Sequence, residues 1–196
     1  MFNDYSLDVS TIFLFRHGQT DFNRDHKFTG WLDVKLTEFG RQQARKIADA
    51  LRYRPINLAY RTRLCRSRET LEIVLKDHPE CGKILVDDRM IERSYGDLAG
   101  LLHQEVINGL GVGQFEQWHR GFYDQPPGGE SLANVEARVM EFIADLKIKY
   151  ADKSLYIAIS AHGNSIRLFR KIIENASIET SVNWTIPYDQ YFEYQI

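Results

Sequence analysis

Cysteine is nearly missing from this chain: Cys65 and Cys81 are the two it has in 196 residues, and they form no CxxC or zinc-type spacing. That excludes a disulfide framework and a zinc module. Long apolar runs are missing too. None approaches the roughly 18 residues a membrane span needs, so no membrane partner is expected. Residues 1–10 hold Asp4 and Asp8 but no basic cluster and no long apolar core. They do not read as a signal peptide, and a cytoplasmic location is expected. A basic surplus is also lacking, since 25 Lys+Arg against 27 Asp+Glu leave a net charge of −2. That argues against a dedicated nucleic-acid binder. There is no internal repeat, low-complexity tract or linker, and 43% hydrophobic residues are enough for one core. The expectation is a single domain over residues 1–196.

The order of signals is β-α-β-α. Residues 11–15 (TIFLF) form a short apolar, β-branched and aromatic run that stops at Arg16-His17-Gly18, as a buried parallel strand would. Thr37 can cap a helix whose apolar positions include Leu36, Ala44, Ile47 and Leu51, and Pro55 closes it. Strands are expected at residues 56–60 and 83–87, with a helix at about 64–76 between them. Residues 88–130 read as an irregular excursion with a weak helical stretch near 103–108, and long excursions are usually functional. Ser131 then opens an amphipathic helix carrying Leu132, Val135, Val139, Phe142, Ile143 and Leu146. Residues 154–160 (SLYIAIS) form a second buried strand, ending at Ala161-His162-Gly163. A helix at about 164–174 and a strand at 191–196 follow. Strands alternating with helices imply a three-layer α/β/α fold with a mostly parallel open sheet.

Two strands therefore end in His-Gly, and ligands of open α/β sheets bind at the carboxyl ends of strands. A glycine after each histidine lets the backbone turn sharply and lets a ligand approach. An imidazole titrating near pH 6.5 is mostly unprotonated at neutral pH and can act as a nucleophile. Arg16 is adjacent to His17, and Arg66 starts the helix after the second strand. Guanidinium forks and helix N-termini both suit phosphoryl oxygens. The site reads as a phosphoryl pocket.

The ordered set Arg16-His17-Gly18-Gln19-Thr20, Arg66, Glu92 and Ala161-His162-Gly163-Asn164 resembles the histidine phosphatase superfamily, within its cofactor-dependent phosphoglycerate mutase branch. Phe28-Thr29-Gly30-Trp31, Glu92-Arg93-Ser94-Tyr95-Gly96-Asp97-Leu98 and Trp118-His119-Arg120-Gly121-Phe122 are similar to further mutase segments, and the likeness covers roughly residues 12–194. The resemblance implies that His17 becomes phosphorylated and that Arg16, Arg66 and His162 hold the phosphoryl oxygens. It implies that Glu92 is the general acid and base, and that Asn23, Thr29, Gly30, Tyr95, Arg120, Gly163 and Asn164 line the pocket. No metal is implied. The activity implied is interconversion of 3-phosphoglycerate and 2-phosphoglycerate, with 2,3-bisphosphoglycerate as a phosphoryl primer rather than a tightly bound cofactor. The partner is then a small phosphorylated metabolite, with a homo-oligomer left open.

The chain departs from the mutase pattern in three places. His103 stands where the mutases carry a lysine, and His119 where they carry the first of two arginines. Those positions serve the substrate carboxylate and the second phosphate of the primer, so two fixed charges become titratable. Affinity for phosphoglycerates is then expected to weaken as pH rises through about 6.5. Pro127-Gly128-Gly129-Glu130-Ser131 instead resembles the smaller phosphatase branch. Two alternatives stay open: a phosphatase that passes the phosphoryl group from His17 to water, and a non-catalytic phospho-ligand binder. Elsewhere blander accounts serve. His26 and His78 read as surface histidines, Gly109-Leu110-Gly111-Val112-Gly113 as a flexible loop, and Trp31 and Trp118 as packing anchors. Arg61, Arg63 and Arg68 read as solvated or paired, Cys65 as a quiet helix cysteine, and the sequons at Asn175 and Asn183 as chance matches.

Overall fold

Alternate side chains of β1 (Thr11–Arg16) enter two different cores, which sets the layers of the computed structural model. It describes residues 9–196, so the expectation about a signal peptide lies, but for Val9 and Ser10, outside the described residues. Ile12 and Leu14 point to one side, and Phe13 and Phe15 to the other. Pairing with β1 are β4 (Tyr156–Ala161), parallel, and β5 (Tyr191–Gln195), antiparallel. Beyond β4 lie β2 (Leu58–Arg61) and the edge strand β3 (Lys83–Val86), both parallel. The order β3-β2-β4-β1-β5 means that β4 returns to the gap between β2 and β1. Two buried strands thus end side by side.

Helices cover both faces, giving the expected three-layer α/β/α fold. On the Phe13 and Phe15 side lie α2 (Glu38–Leu51) and α3 (Cys65–Val74), through Ile47, Leu51, Leu71 and Val74. On the other side lie α5 (Leu132–Tyr150) and α6 (Gly163–Ile173). The full stripe foreseen on α5, from Leu132 to Leu146, is buried. Each such side chain contributes about 1.5–3 kcal/mol relative to exposure. Thr37 and Ser131 cap their helices, accepting from the backbone N–H of Gly40 and Asn134.

The excursion differs from its expectation. Instead of irregular chain with a weak helical stretch, it forms α4 (His103–Arg120), broken at Gly111, whose φ of 84° and ψ of 159° lie outside helical space. The supposed glycine loop is therefore mostly helix. Three glycines weaken its propensity, and only Val106 and Phe115 are buried. Those two pack on a satellite cluster with Phe28, Tyr95 and Leu98, not on the sheet, so no amphipathic stripe announces the helix. The short helices α1 (Asp21–Arg24) and α7 (Ile178–Val182) were likewise not foreseen.

The turn after β1 is pressed onto α2, backbone against backbone. A Cβ on Gly18 would lie 2.1 Å from the Gly40 carbonyl oxygen, and one on Gly40 would lie 2.1 Å from the Gln19 carbonyl oxygen. Gly18 thus serves helix packing rather than ligand approach. Gly40→Ala should lower stability by about 1–3 kcal/mol or more, roughly 2–4 °C in melting temperature per kcal/mol at this size. Gly109→Ala, on an open helical surface, should be neutral or mildly stabilising. Equal melting temperatures for the two variants would refute this packing account.

Candidate active site

The parallel register sets Arg16 opposite Ala161, and the His17 N–H donates to the Ala161 carbonyl at 3.0 Å. His17 and His162 thus leave the sheet together, with ring centroids 5.0 Å apart. Nδ1 of His17 lies 2.7 Å from the Gly18 carbonyl oxygen. A carbonyl only accepts, so Nδ1 carries the hydrogen and Nε2 keeps its lone pair. Arg66 Nε donates to that Nε2 at 3.3 Å. Burial, then Arg66 and Arg16, hold the His17 pKa well below the usual imidazole range. The ring is neutral and nucleophilic at physiological pH. His162 is neutral for the same first reason, reinforced by Arg66 and His17. Its Nε2 meets the Thr62 hydroxyl at 2.8 Å, while Nδ1 is buried without a partner.

The arginines are held by carbonyls and rings instead of by carboxylates. Arg66 donates to the carbonyl oxygens of Leu32 and Gly30 at 2.8 and 2.7 Å. Burial lowers its pKa to about 10, which leaves it charged. Arg16 donates to the Ile186 carbonyl and lies 3.9 Å from the Tyr188 ring centroid. Gly163 leaves room for it, since a Cβ there would lie 3.3 Å from Arg16 Cζ. By contrast Arg63, Arg68 and most outer arginines have acidic partners; Arg68, for example, lies 3.7 Å from Glu72.

Glu92 is fixed at both its main chain and its carboxylate. Its carbonyl accepts from Trp31 Nε1 at 2.7 Å and from Arg138 at 3.1 Å. Oε1 accepts from the backbone N–H of Arg93 at 2.7 Å and of Asn164, at the start of α6, at 3.2 Å. Among the described residues Oε2 has no hydrogen-bond partner. Trp31 is therefore more than a packing anchor, because it ties down the segment that carries Glu92. The Gly-Gly-Glu stretch is also explained structurally: Glu130 accepts from Ser94 N at 2.8 Å and pairs with Arg138 at 3.1 Å. It braces the Glu92 segment and touches no cavity-lining charge.

One cavity of about 400 Å³ gathers Arg16, His17, Asn23, Thr29, Gly30, Arg66, Glu92, Tyr95, His103, His119, Arg120, Gly163 and Asn164. Of the expected site residues only His162 is absent from its wall, lying fully buried beside His17. The charge expected at the far end is different. Burial, then His103 and Arg120, push His119 down to about 4, and burial followed by His26 lowers His103. Both imidazoles are neutral near pH 7 before ligand arrives, so the expected loss of their charge at about pH 6.5 does not occur in the free protein. His26 is exposed, as expected, at the edge of the cavity it helps to line, whereas His78 is buried beside Glu80 and so is not a surface histidine. Burial, followed by Asp33, raises Cys65 to about 11, in keeping with a quiet thiol.

Lys27 and Tyr188 have no place in the sequence reading yet line the cavity, and so does Arg167, which closes the mutase-like stretch Ala161-His162-Gly163-Asn164-Ser165-Ile166-Arg167 but is given no role there. Its position follows from spacing, because it stands three residues after Asn164 on one helix, and such pairs share a face. Tyr188 follows an irregular stretch and has no comparable signal.

Unfolded imidazoles take a proton near pH 6.5, whereas folded His17 and His162 do not. The unfolded chain then binds the extra protons, and stability is lost as pH falls below about 6.5. At the limiting slope each histidine costs about 1.4 kcal/mol per pH unit. Urea midpoints taken in phosphate-free buffer should fall between about pH 7 and pH 5, and His162→Asn should flatten the slope. A wild-type midpoint constant across that range would contradict the depressed pKa values.

A family model described as histidine phosphatase superfamily (branch 1) matches residues 12–193. The chain is 33% identical over 173 residues to a 2,3-bisphosphoglycerate-dependent phosphoglycerate mutase of Gloeobacter violaceus, covering 87% of this chain and 78% of the relative. A mutase of the same description from Cytophaga hutchinsonii is 36% identical, over 84% of this chain and 77% of its own. Among solved structures, a mycobacterial glucosyl-3-phosphoglycerate phosphatase superposes with a TM-score of 0.80 at 26% identity, covering 93% of this chain and 90% of the phosphatase. The chain belongs to the histidine phosphatase superfamily and is a phosphoryl-transfer enzyme.

Proposed function

We propose that the protein is a phosphoglycerate mutase-like enzyme that interconverts 3-phosphoglycerate and 2-phosphoglycerate through phospho-His17. The observation that carries this reading is the pairing, in one cavity, of an unprotonated His17 Nε2 with a Glu92 oxygen that has no hydrogen-bond partner among the described residues. A nucleophile and a proton carrier so arranged suit transfer to and from a substrate hydroxyl. The mutase relatives at 33% and 36% identity favour the same substrate class.

In this mechanism 2,3-bisphosphoglycerate serves as the phosphoryl source that primes His17. Its fit rests on buried polar atoms that lack a partner among the described residues, on side chains that line the cavity: Arg16 Nε, Thr29 Oγ1 and Arg167 Nε. With His17 phosphorylated, the free hydroxyl of a phosphoglycerate attacks phosphorus, the P–Nε2 bond breaks, and Glu92 takes the hydroxyl proton. The other phosphoryl group then passes to His17 Nε2. Its P–O bond breaks, and Glu92 returns the proton to the departing oxygen. Arg16, Arg66 and His162 neutralise and orient the transferring group, which is the main demand of phosphoryl transfer. Asn23, Thr29, Gly30, Tyr95, Gly163 and Asn164 shape the pocket, and no step calls for a metal.

A phosphatase is the second reading. The neutral His103 and His119 favour it, since they leave less fixed charge for a second anion, and so does the likeness to a solved phosphatase. The two activities share His17 and Glu92 and differ in whether water reaches phospho-His17.

Incubation with 3-phosphoglycerate and catalytic 2,3-bisphosphoglycerate should yield 2-phosphoglycerate much faster than free phosphate, with an acid-labile phosphate mapped to His17 by mass spectrometry. Phosphate release without 2-phosphoglycerate would overturn the mutase in favour of the phosphatase. Glu92→Gln should lower turnover by roughly 10²–10⁴-fold, the usual range for a lost general acid–base, while phosphate binding is largely kept. An unchanged kcat on an alkyl phosphate would sink that role, because the alkoxide leaving group needs a proton.

A further inference from the structure

Arg167 is the cavity's unexplained cation. It sits on α6, half-buried, one turn beyond Asn164, and lines the same cavity as His17. One terminal nitrogen donates to Asn164 Oδ1, and the other to the Trp184 carbonyl oxygen at 3.0 Å. These two bonds use two of five N–H donors and hold the guanidinium plane still. Nε has no partner. Among the described residues no carboxylate lies within ion-pair distance, in contrast with its neighbours on the outside of the same helix, where Arg170 pairs with Glu174 at 2.9 Å and Lys171 with Glu136 at 2.7 Å. The charged and titratable groups that act on it are Glu92 and Tyr95, which favour its charge, and Arg16, Arg120 and His119. Asn164, which Arg167 braces, in turn donates to the Tyr95 hydroxyl at 3.2 Å.

We infer that Arg167, a residue outside the set the resemblance assigns to that end, holds the second anionic group of the substrate, the one remote from the phosphoryl group at His17. The inference rests on the proposed substrate class, a small phosphomonoester carrying a carboxylate. A half-buried, immobilised cation without a carboxylate partner retains a charge that an incoming anion can satisfy, and its geometry is set before binding. Guanidinium stays charged throughout the physiological range, so it supplies the permanent charge that His103 and His119 do not.

The test compares two ligands that differ at one end only. 3-Phosphoglycerate carries a carboxylate where glycerol 3-phosphate carries a hydroxymethyl group. Calorimetry on the unprimed protein should show preference for the carboxylate. Arg167→Met, which keeps the stem, should cut the ratio of the two affinities by about 10- to 100-fold, and Arg167→Lys should restore part of it. The ratio is the readout, because a purely structural role for Arg167 would weaken both ligands alike. In the wild type the ratio should also stay level from about pH 6 to about pH 8.5, since both ligands share the titrating phosphate and guanidinium does not titrate. An unchanged ratio in Arg167→Met would overturn the inference, as would a wild-type ratio that falls with rising pH as an imidazole deprotonates. Failure of the mutase reading is separately visible: loss of isomerisation with the ratio still dependent on Arg167 removes the proposed reaction and leaves the subsite.

Discussion

Everything at the site depends on the parallel pairing of β1 with β4. That ladder holds Arg16 level with Ala161, and the residues that follow, His17 and His162, emerge at one height with their rings in contact range. A one-residue slip would turn both histidines to opposite faces, because strand side chains alternate with a period of two. Burial of Ile12, Leu14, Ile157 and Ile159 in one core, and of Phe13, Phe15 and Ala158 in the other, makes such a slip prohibitive. The hydrophobic pattern of two strands thus acts directly on the distance between two imidazoles.

Around that pair the molecule concentrates positive charge without neutralising it side chain by side chain. Arg16, Arg66 and Arg167 are anchored by the carbonyls of Ile186, Gly30, Leu32 and Trp184 and by an aromatic ring or an amide. Neutral dipoles orient a guanidinium while leaving its net charge available to a ligand. The same field accounts for the imidazoles. Buried beside those cations, His17 and His162 stay unprotonated, which keeps a lone pair on Nε2 of His17. An unprotonated imidazole and an uncompensated positive charge are thus two results of one electrostatic arrangement.

Glu92 shows how much structure one carboxylate can require. Trp31, Arg138, Glu130 and the first turn of α6 all converge on its segment, so one carboxylate oxygen is pinned while the other has no hydrogen-bond partner among the described residues. Glu130 belongs to a stretch that in sequence suggested a phosphatase, yet its contacts are with the backbone of Ser94 and with Arg138.

By itself the sequence determined the strands ending in His-Gly, the caps at Thr37 and Ser131 and the stripe on α5, and it marked His17, Arg16, Arg66 and Glu92, which line one cavity. These are local signals: periodicity, capping chemistry and motif order, all carried within a few residues. Only the tertiary structure decided the rest. That α4 is a helix depends on Phe28 and Tyr95, distant in the chain, which cover Val106 and Phe115 despite the glycines. That Gly18 is required depends on Gly40, one helix away. That His103 and His119 are uncharged, and that Arg167 faces the same cavity as His17, depends on burial and on neighbours from several elements. Burial and field are sums over atoms that the fold brings together, so no spacing along the chain encodes them.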